Sequence, residues 1–127
     1  MMNLVLIGAG GALGAISRHL VGRLTLRLFG PDQPWGTFSV NILGGLAMGL
    51  LIGWLTATER ADETSIRLFA AVGVLGGFTT FSAYSLELAL MIERKAWLNA
   101  FVYAAGSVVM ALAAVFAGLF WVRKVMA

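Results

Sequence analysis

Apolar residues run through this chain in four long blocks with no charge inside them: residues 1–17, 33–58, 68–86 and 96–122 contain no Asp, Glu, Lys or Arg. About 20 apolar residues cross the hydrocarbon of a bilayer as a helix. The pattern therefore predicts four transmembrane helices, near residues 3–28, 35–58, 65–92 and 96–122. Gly30, Pro31, Asp32, Gln33 and Pro34 form the turn after the first. The second and third are separated by residues 59–63, and the last two by Glu93, Arg94 and Lys95. The four blocks make residues 1–127 a single integral membrane domain of the all-α class. No internal repeat is visible.

Glycine punctuates these helices at packing intervals. Gly10 and Gly14 lie one turn apart in the first helix, and Gly45, Gly49 and Gly53 form a ladder in the second, a spacing that lets backbones approach in lipid. Residues 4–14 look at first like a strand leading into a dinucleotide fingerprint. Leu13 stands where that motif needs Gly or Ala, and no alternating strand and helix pattern follows, so the glycines read as packing positions. The first helix also lacks the basic leader and small-residue cleavage site of a signal peptide.

The third block carries the most information. Gly76, Gly77, Thr79 and Thr80 put two glycines and two β-branched residues at the centre of a span, where a continuous helix is hardest to sustain. A break at residues 76–80 is expected. Non-helical backbone at that depth is tolerated only if buried in protein or lining an aqueous or ionic site. Freed carbonyls there can coordinate a small cation, and a plain kink fits the spacing equally well. Asn41, Thr79, Thr80, Ser82, Ser85, Tyr103 and Ser107 supply hydroxyls and an amide at membrane depth. Phe81 and Tyr84 share a helix face and have ring edges of positive potential. Glu87, one turn after Tyr84, is the single acid placed within a span, which is functional by default. Arg18 lies deep enough to line a wet vestibule or to pair with Glu87.

Composition narrows the chemistry. Hydrophobic residues are 60% and charged residues 12% of the chain, which excludes an ordinary water-soluble domain. The net charge of +3 is scattered between apolar runs instead of forming a stripe, so no nucleic-acid partner is expected. There is no cysteine and one histidine, His19, too few parts for a disulfide framework, a His/Cys metal centre or a Ser-His-Asp triad. No enzyme is expected. The basic residues also fail to orient the chain. Arg60, Arg67, Arg123 and Lys124 fall on one side, against Arg18, Arg23, Arg27, Arg94 and Lys95 on the other. A preferred orientation needs a clear cytoplasmic excess. Insertion both ways and head-to-tail pairing of two copies are expected.

Residues 11–18 (GALGAISR), 35–41 (WGTFSVN) with Gly44 and Gly45, 76–82 (GGFTTFS) with Glu87 in register, and Tyr103 with Ser107 resemble the small bacterial fluoride channels of the Fluc type over nearly the whole chain. The element GGFTTFS is the specific one. The resemblance implies an antiparallel, dual-topology homodimer in the bacterial cytoplasmic (inner) membrane, exporting fluoride to relieve its toxicity. It implies one Na⁺ on the dimer axis, held by the backbone carbonyls of Gly76 and Thr79, and two pores related by the two-fold. Phe81 would turn its ring edge to the anion, and Asn41, Ser82, Tyr103 and Ser107 would be polar pore groups, with Thr80, Tyr84 and Ser85 beside them. The family often has a second phenylalanine where this chain has Tyr84. Fluoride is small and strongly hydrated, so closely spaced donors must replace its water.

Two other functions compete. A small multidrug-type proton-coupled transporter needs a carboxylate in the middle of its first helix, and this first helix has no acid. A non-transporting packing subunit would leave Asn41, Glu87 and the central break without a role.

Overall fold

The computed structural model describes all residues 1–127, and its regular elements are all helices. In chain order these are α1 (Met2–Phe29), α2 (Trp35–Thr58), a composite third span (Glu63–Glu93) and a last helix, and all four are long and apolar enough to cross a membrane. The third span consists of α3 (Glu63–Ile66), a π-helical segment (Arg67–Leu75), the single turn α4 (Gly76–Phe78) and α5 (Ser82–Glu93). The last helix is α6 (Trp97–Met126), which continues beyond the apolar block because Arg123 and Lys124 in its final turn face the negative end of the helix dipole.

Local chemistry sets the helix ends. Gly30 at φ +79° stops α1, and α2 starts immediately after Pro34, whose missing N–H costs nothing at a helix start. Between α5 and α6, Lys95 takes a left-handed φ of 60°. There the Ala96 N–H donates to the Met91 carbonyl and the Lys95 N–H to the Ile92 carbonyl, both at 2.9 Å, closing a Schellman turn. That closure lets α6 return along α5, where Tyr84, Met91, Ala100 and Tyr103 form the small buried core, with Phe38 and Leu88 against it.

Backbone approach holds the remaining helices. α2 packs along α6, and α1 along the first half of the third span. A Cβ added to Gly49 would overlap the Val115 carbonyl, and one on Gly118 would lie 2.6 Å from the Leu46 carbonyl oxygen. Gly10 and Gly14 of α1 meet the backbone of Val74 in the same way. Only 18 of 127 residues are buried, while Leu13, Leu24, Phe101, Leu112 and Phe120 are more than half exposed. The apolar side chains therefore mostly point outward, an arrangement suited to lipid.

Helical hydrogen bonding lapses between Phe78 and Ser82, with Thr79 extended at φ −83°, ψ 160°. Gly76 and Gly77 themselves stay within the turn α4. The wide turns of residues 67–75 have no counterpart in the sequence reading. Nothing in that apolar run distinguishes an i→i+5 ladder from an ordinary helix.

Candidate functional site

Where the third span leaves its helix, the chain must find partners for freed backbone groups, because lipid offers none. Asn41 supplies them from α2. Its Oδ1 accepts the Thr80 N–H at 2.8 Å, and its Nδ2 donates to the Thr80 carbonyl at 3.0 Å, so one carboxamide pairs both backbone groups of one residue. The Thr80 hydroxyl accepts the Ala83 N–H at 3.2 Å, capping α5, and lies 3.3 Å from the Ser82 hydroxyl. The Thr79 hydroxyl donates back to the Leu75 carbonyl at 2.9 Å.

The break leaves carbonyls in this stretch without helical donors, those of Gly76 and Thr79 among them. The Thr79 N–H goes to Leu75 and the Thr80 N–H to Asn41, so neither reaches the Gly76 carbonyl. The Ala83 N–H turns to the Thr80 hydroxyl and leaves the Thr79 carbonyl without a helical donor. Such oxygens, at an exposed Gly76 and a half-buried Thr79, have the chemistry a hard monovalent cation takes from unwound helices.

A cavity of about 490 Å³ opens beside this segment, lined by Asn41, Gly76, Thr79, Thr80, Phe81, Tyr84 and Ser107 together with small and aliphatic residues of α2 and α6. No charged side chain reaches it. The buried Ser107 hydroxyl has no partner within the chain. A second cavity, about 540 Å³, is a vestibule between α1, α2 and α5, with Arg18, His19, Thr37, Thr80 and Glu87 on its walls. Thr80 alone borders both.

Rings and a carboxylate join the two levels. The Phe81 and Tyr84 centroids are 5.5 Å apart, and Tyr84 and Tyr103 follow at 5.4 Å. The Tyr84 hydroxyl donates to the Ala104 carbonyl at 2.9 Å. The Tyr103 hydroxyl donates to Glu87 Oε2 at 2.6 Å, and the Thr37 hydroxyl to Oε1 at 2.7 Å. Glu87 is thus held by two hydroxyls. It shares the vestibule with Arg18 but forms no ion pair with Arg18 or Arg94; the ion pairs of the chain are Arg60–Asp62 and Glu63–Arg67.

The residues singled out from sequence therefore fall into groups. Asn41, Gly76, Thr79, Thr80, Phe81, Tyr84 and Ser107 converge on one cavity, and Arg18 and Glu87 on the vestibule. Tyr103 lines a separate groove with Trp35, Phe38 and Asn99 and reaches the others through its ring and hydroxyl. Ser82 is exposed beside Thr80. Ser85 lines neither cavity; one position past Tyr84, it is turned about 100° around α5 and is exposed. Sequence reasoning missed Thr37 as the partner of Glu87. Its only signal is a hydroxyl in an apolar helix, and the acid it serves is 50 residues away.

Comparison with known proteins identifies the family. The family model described as CrcB-like protein, Camphor Resistance (CrcB), matches residues 5–119. A protein of Phenylobacterium zucineum (strain HLK1) named fluoride-specific ion channel FluC is 58% identical over 127 residues, covering 100% of both chains. Proteins of the same name from Caulobacter sp. (strain K31) and Sphingopyxis alaskensis (strain DSM 13593 / LMG 18877 / RB2256) are 54% and 52% identical, each covering 98% of both chains.

Proposed function

We propose that this chain, which belongs to the CrcB-like protein family, is a fluoride-specific ion channel of the bacterial inner membrane. The observation that carries the reading is full-length identity of 58% to a relative bearing that name. It is a channel and not an enzyme. An uncharged cavity suits the task. The anion is met by dipoles, namely the free Ser107 hydroxyl and the ring edges of Phe81 and Tyr84, so fluoride can lose its water without being trapped by a fixed cation. Arg18 in the vestibule draws anions towards it.

The working unit we infer is an antiparallel homodimer. Phe81 is 77% exposed and Gly76 is exposed at the interrupted centre of the third span, both at the depth where a second copy would meet them. The Gly76 and Thr79 carbonyls of two chains would then hold one Na⁺, which supplies positive charge between the pores and offsets the desolvation of fluoride. A proton-coupled carrier is not favoured, since α1 contains no acidic residue.

The test is efflux from fluoride-loaded proteoliposomes read by a fluoride-selective electrode, with chloride as comparison. Wild type should release fluoride and retain chloride. Phe81→Ile should collapse release while the dimer survives size exclusion. Were Phe81 mere packing, the swap would cost about 1–3 kcal/mol of stability and spare transport.

A further inference from the structure

We infer that Tyr84 is a positioning residue whose hydroxyl is spent as a tether: it fastens α5 to the Ala104 carbonyl of α6 and thereby holds the Phe81 ring in its conducting orientation. The inference rests on the channel reading above. A tyrosine near an anion path invites the view that its O–H donates to the anion, and the geometry points elsewhere. That hydroxyl already donates to Ala104 at 2.9 Å, and it has only one proton to give. Tyr84 is 8% exposed, which limits competition from water for the bond.

What the tether fixes is visible in the ring contacts. Phe81 is 77% exposed, and the one ring packed against it within the chain is Tyr84, tilted at 5.5 Å and 41°. Tyr84 is itself held from the other side by the Tyr103 ring at 5.4 Å, and Tyr103 is anchored through Glu87 to Thr37 of α2. Phe81 is therefore the free end of a row of three tilted rings whose middle member is pinned at its tip. A phenylalanine at position 84 would keep the ring faces but unpin the middle, letting α5 slide along α6 and Phe81 sample more rotamers. One buried hydrogen bond is enough to shift such a population by roughly three- to tenfold.

The experiment uses the full chain in proteoliposomes, with fluoride ion as the probe. In parallel, the 19F spectrum of 4-fluorophenylalanine placed at position 81 reports the ring. Tyr84→Phe should lower fluoride efflux roughly three- to tenfold, keep chloride excluded, and turn a single 19F line into a broadened or split one. Replacing Tyr84 with 4-aminophenylalanine, which restores a donor, should recover both readouts, whereas 4-methylphenylalanine should not. Unchanged efflux with an unchanged line would overturn the tether. Reduced efflux with an unchanged line would also overturn it and make the hydroxyl a direct ligand of the anion. A wild-type protein that releases no fluoride, with the line still split by Tyr84→Phe, would keep the tether and remove the channel reading.

Discussion

Replacing Asn41 with leucine removes the carboxamide that pairs both backbone groups of Thr80 while keeping the side-chain volume nearly constant. Two bonds are lost, at 2.8 and 3.0 Å, and the Thr80 N–H and C=O are stranded at a residue only 9% exposed. Interhelical hydrogen bonds in membranes average about 0.6 kcal/mol, which sets a floor near 1.2 kcal/mol for the pair. A buried backbone group left without a partner costs about 1–3 kcal/mol, which lifts the expectation well above that floor. We expect Asn41→Leu to lose about 2–4 kcal/mol, or roughly 30- to 900-fold in the unfolding equilibrium. Asn41→Asp should fall between, since its carboxylate still accepts the Thr80 N–H but faces the Thr80 carbonyl with a second oxygen. The assay is unfolding in mixed micelles on titration with sodium dodecyl sulfate, followed by circular dichroism. A loss below about 0.5 kcal/mol for the leucine variant would refute the clamp.

Other outcomes follow from the same structure. Gly49→Ala, whose new methyl would overlap the Val115 carbonyl, should destabilise the bundle by about 1–3 kcal/mol on the same assay, while Gly106→Ala, with open space around it, should be neutral. Because the chain has no native cysteine, a single Cys at position 61 can be labelled from either side of the membrane, and the balanced basic residues predict labelling from both; labelling from one side only would exclude dual insertion. In the exposed loop after α2, the hydrogen bond from the Arg60 guanidinium holds the Asp62 carboxyl below its ordinary value of 3.8. The pairing therefore contributes above the ordinary carboxylate range and is lost as pH falls through the depressed value, and Arg60→Ala should move the Asp62 midpoint up towards 3.8 in a carbon-13 NMR titration.

Hydropathy alone delivers the four spans, because each is built around a long charge-free apolar run. The glycine ladder Gly45, Gly49 and Gly53 is legible for a related reason: a side chain at Gly45 or Gly49 would overlap the Ala111 or Val115 carbonyl of α6, and one at Gly53 would press on the Val122 side chain. Asn41, Phe81, Tyr84 and Ser107 can be grouped as polar or aromatic residues at one depth, but what each of them does cannot be read from residue type. The acceptor of Tyr84 is the backbone carbonyl of Ala104, and the partner of Asn41 is the backbone of Thr80, 39 residues away. Main-chain groups are present at every position, so the sequence carries no mark of which will be used. The π-helical segment is hidden for the same reason, since its difference lies in which carbonyl each N–H selects.

The close approach of α2 and α6, glycine against carbonyl, has a thermal consequence. In water, helices associate by shedding solvent from apolar surface, which gives the association a large heat-capacity change and weakens it in the cold. Between Gly49 and Val115, or Gly118 and Leu46, the displaced material in a bilayer is hydrocarbon, and what binds is dispersion and dipole contact between backbones. Such a seam carries little heat-capacity change. Its strength should vary almost linearly with temperature, so that the bundle neither loosens on cooling nor has a temperature of maximum stability within the range over which the membrane stays fluid.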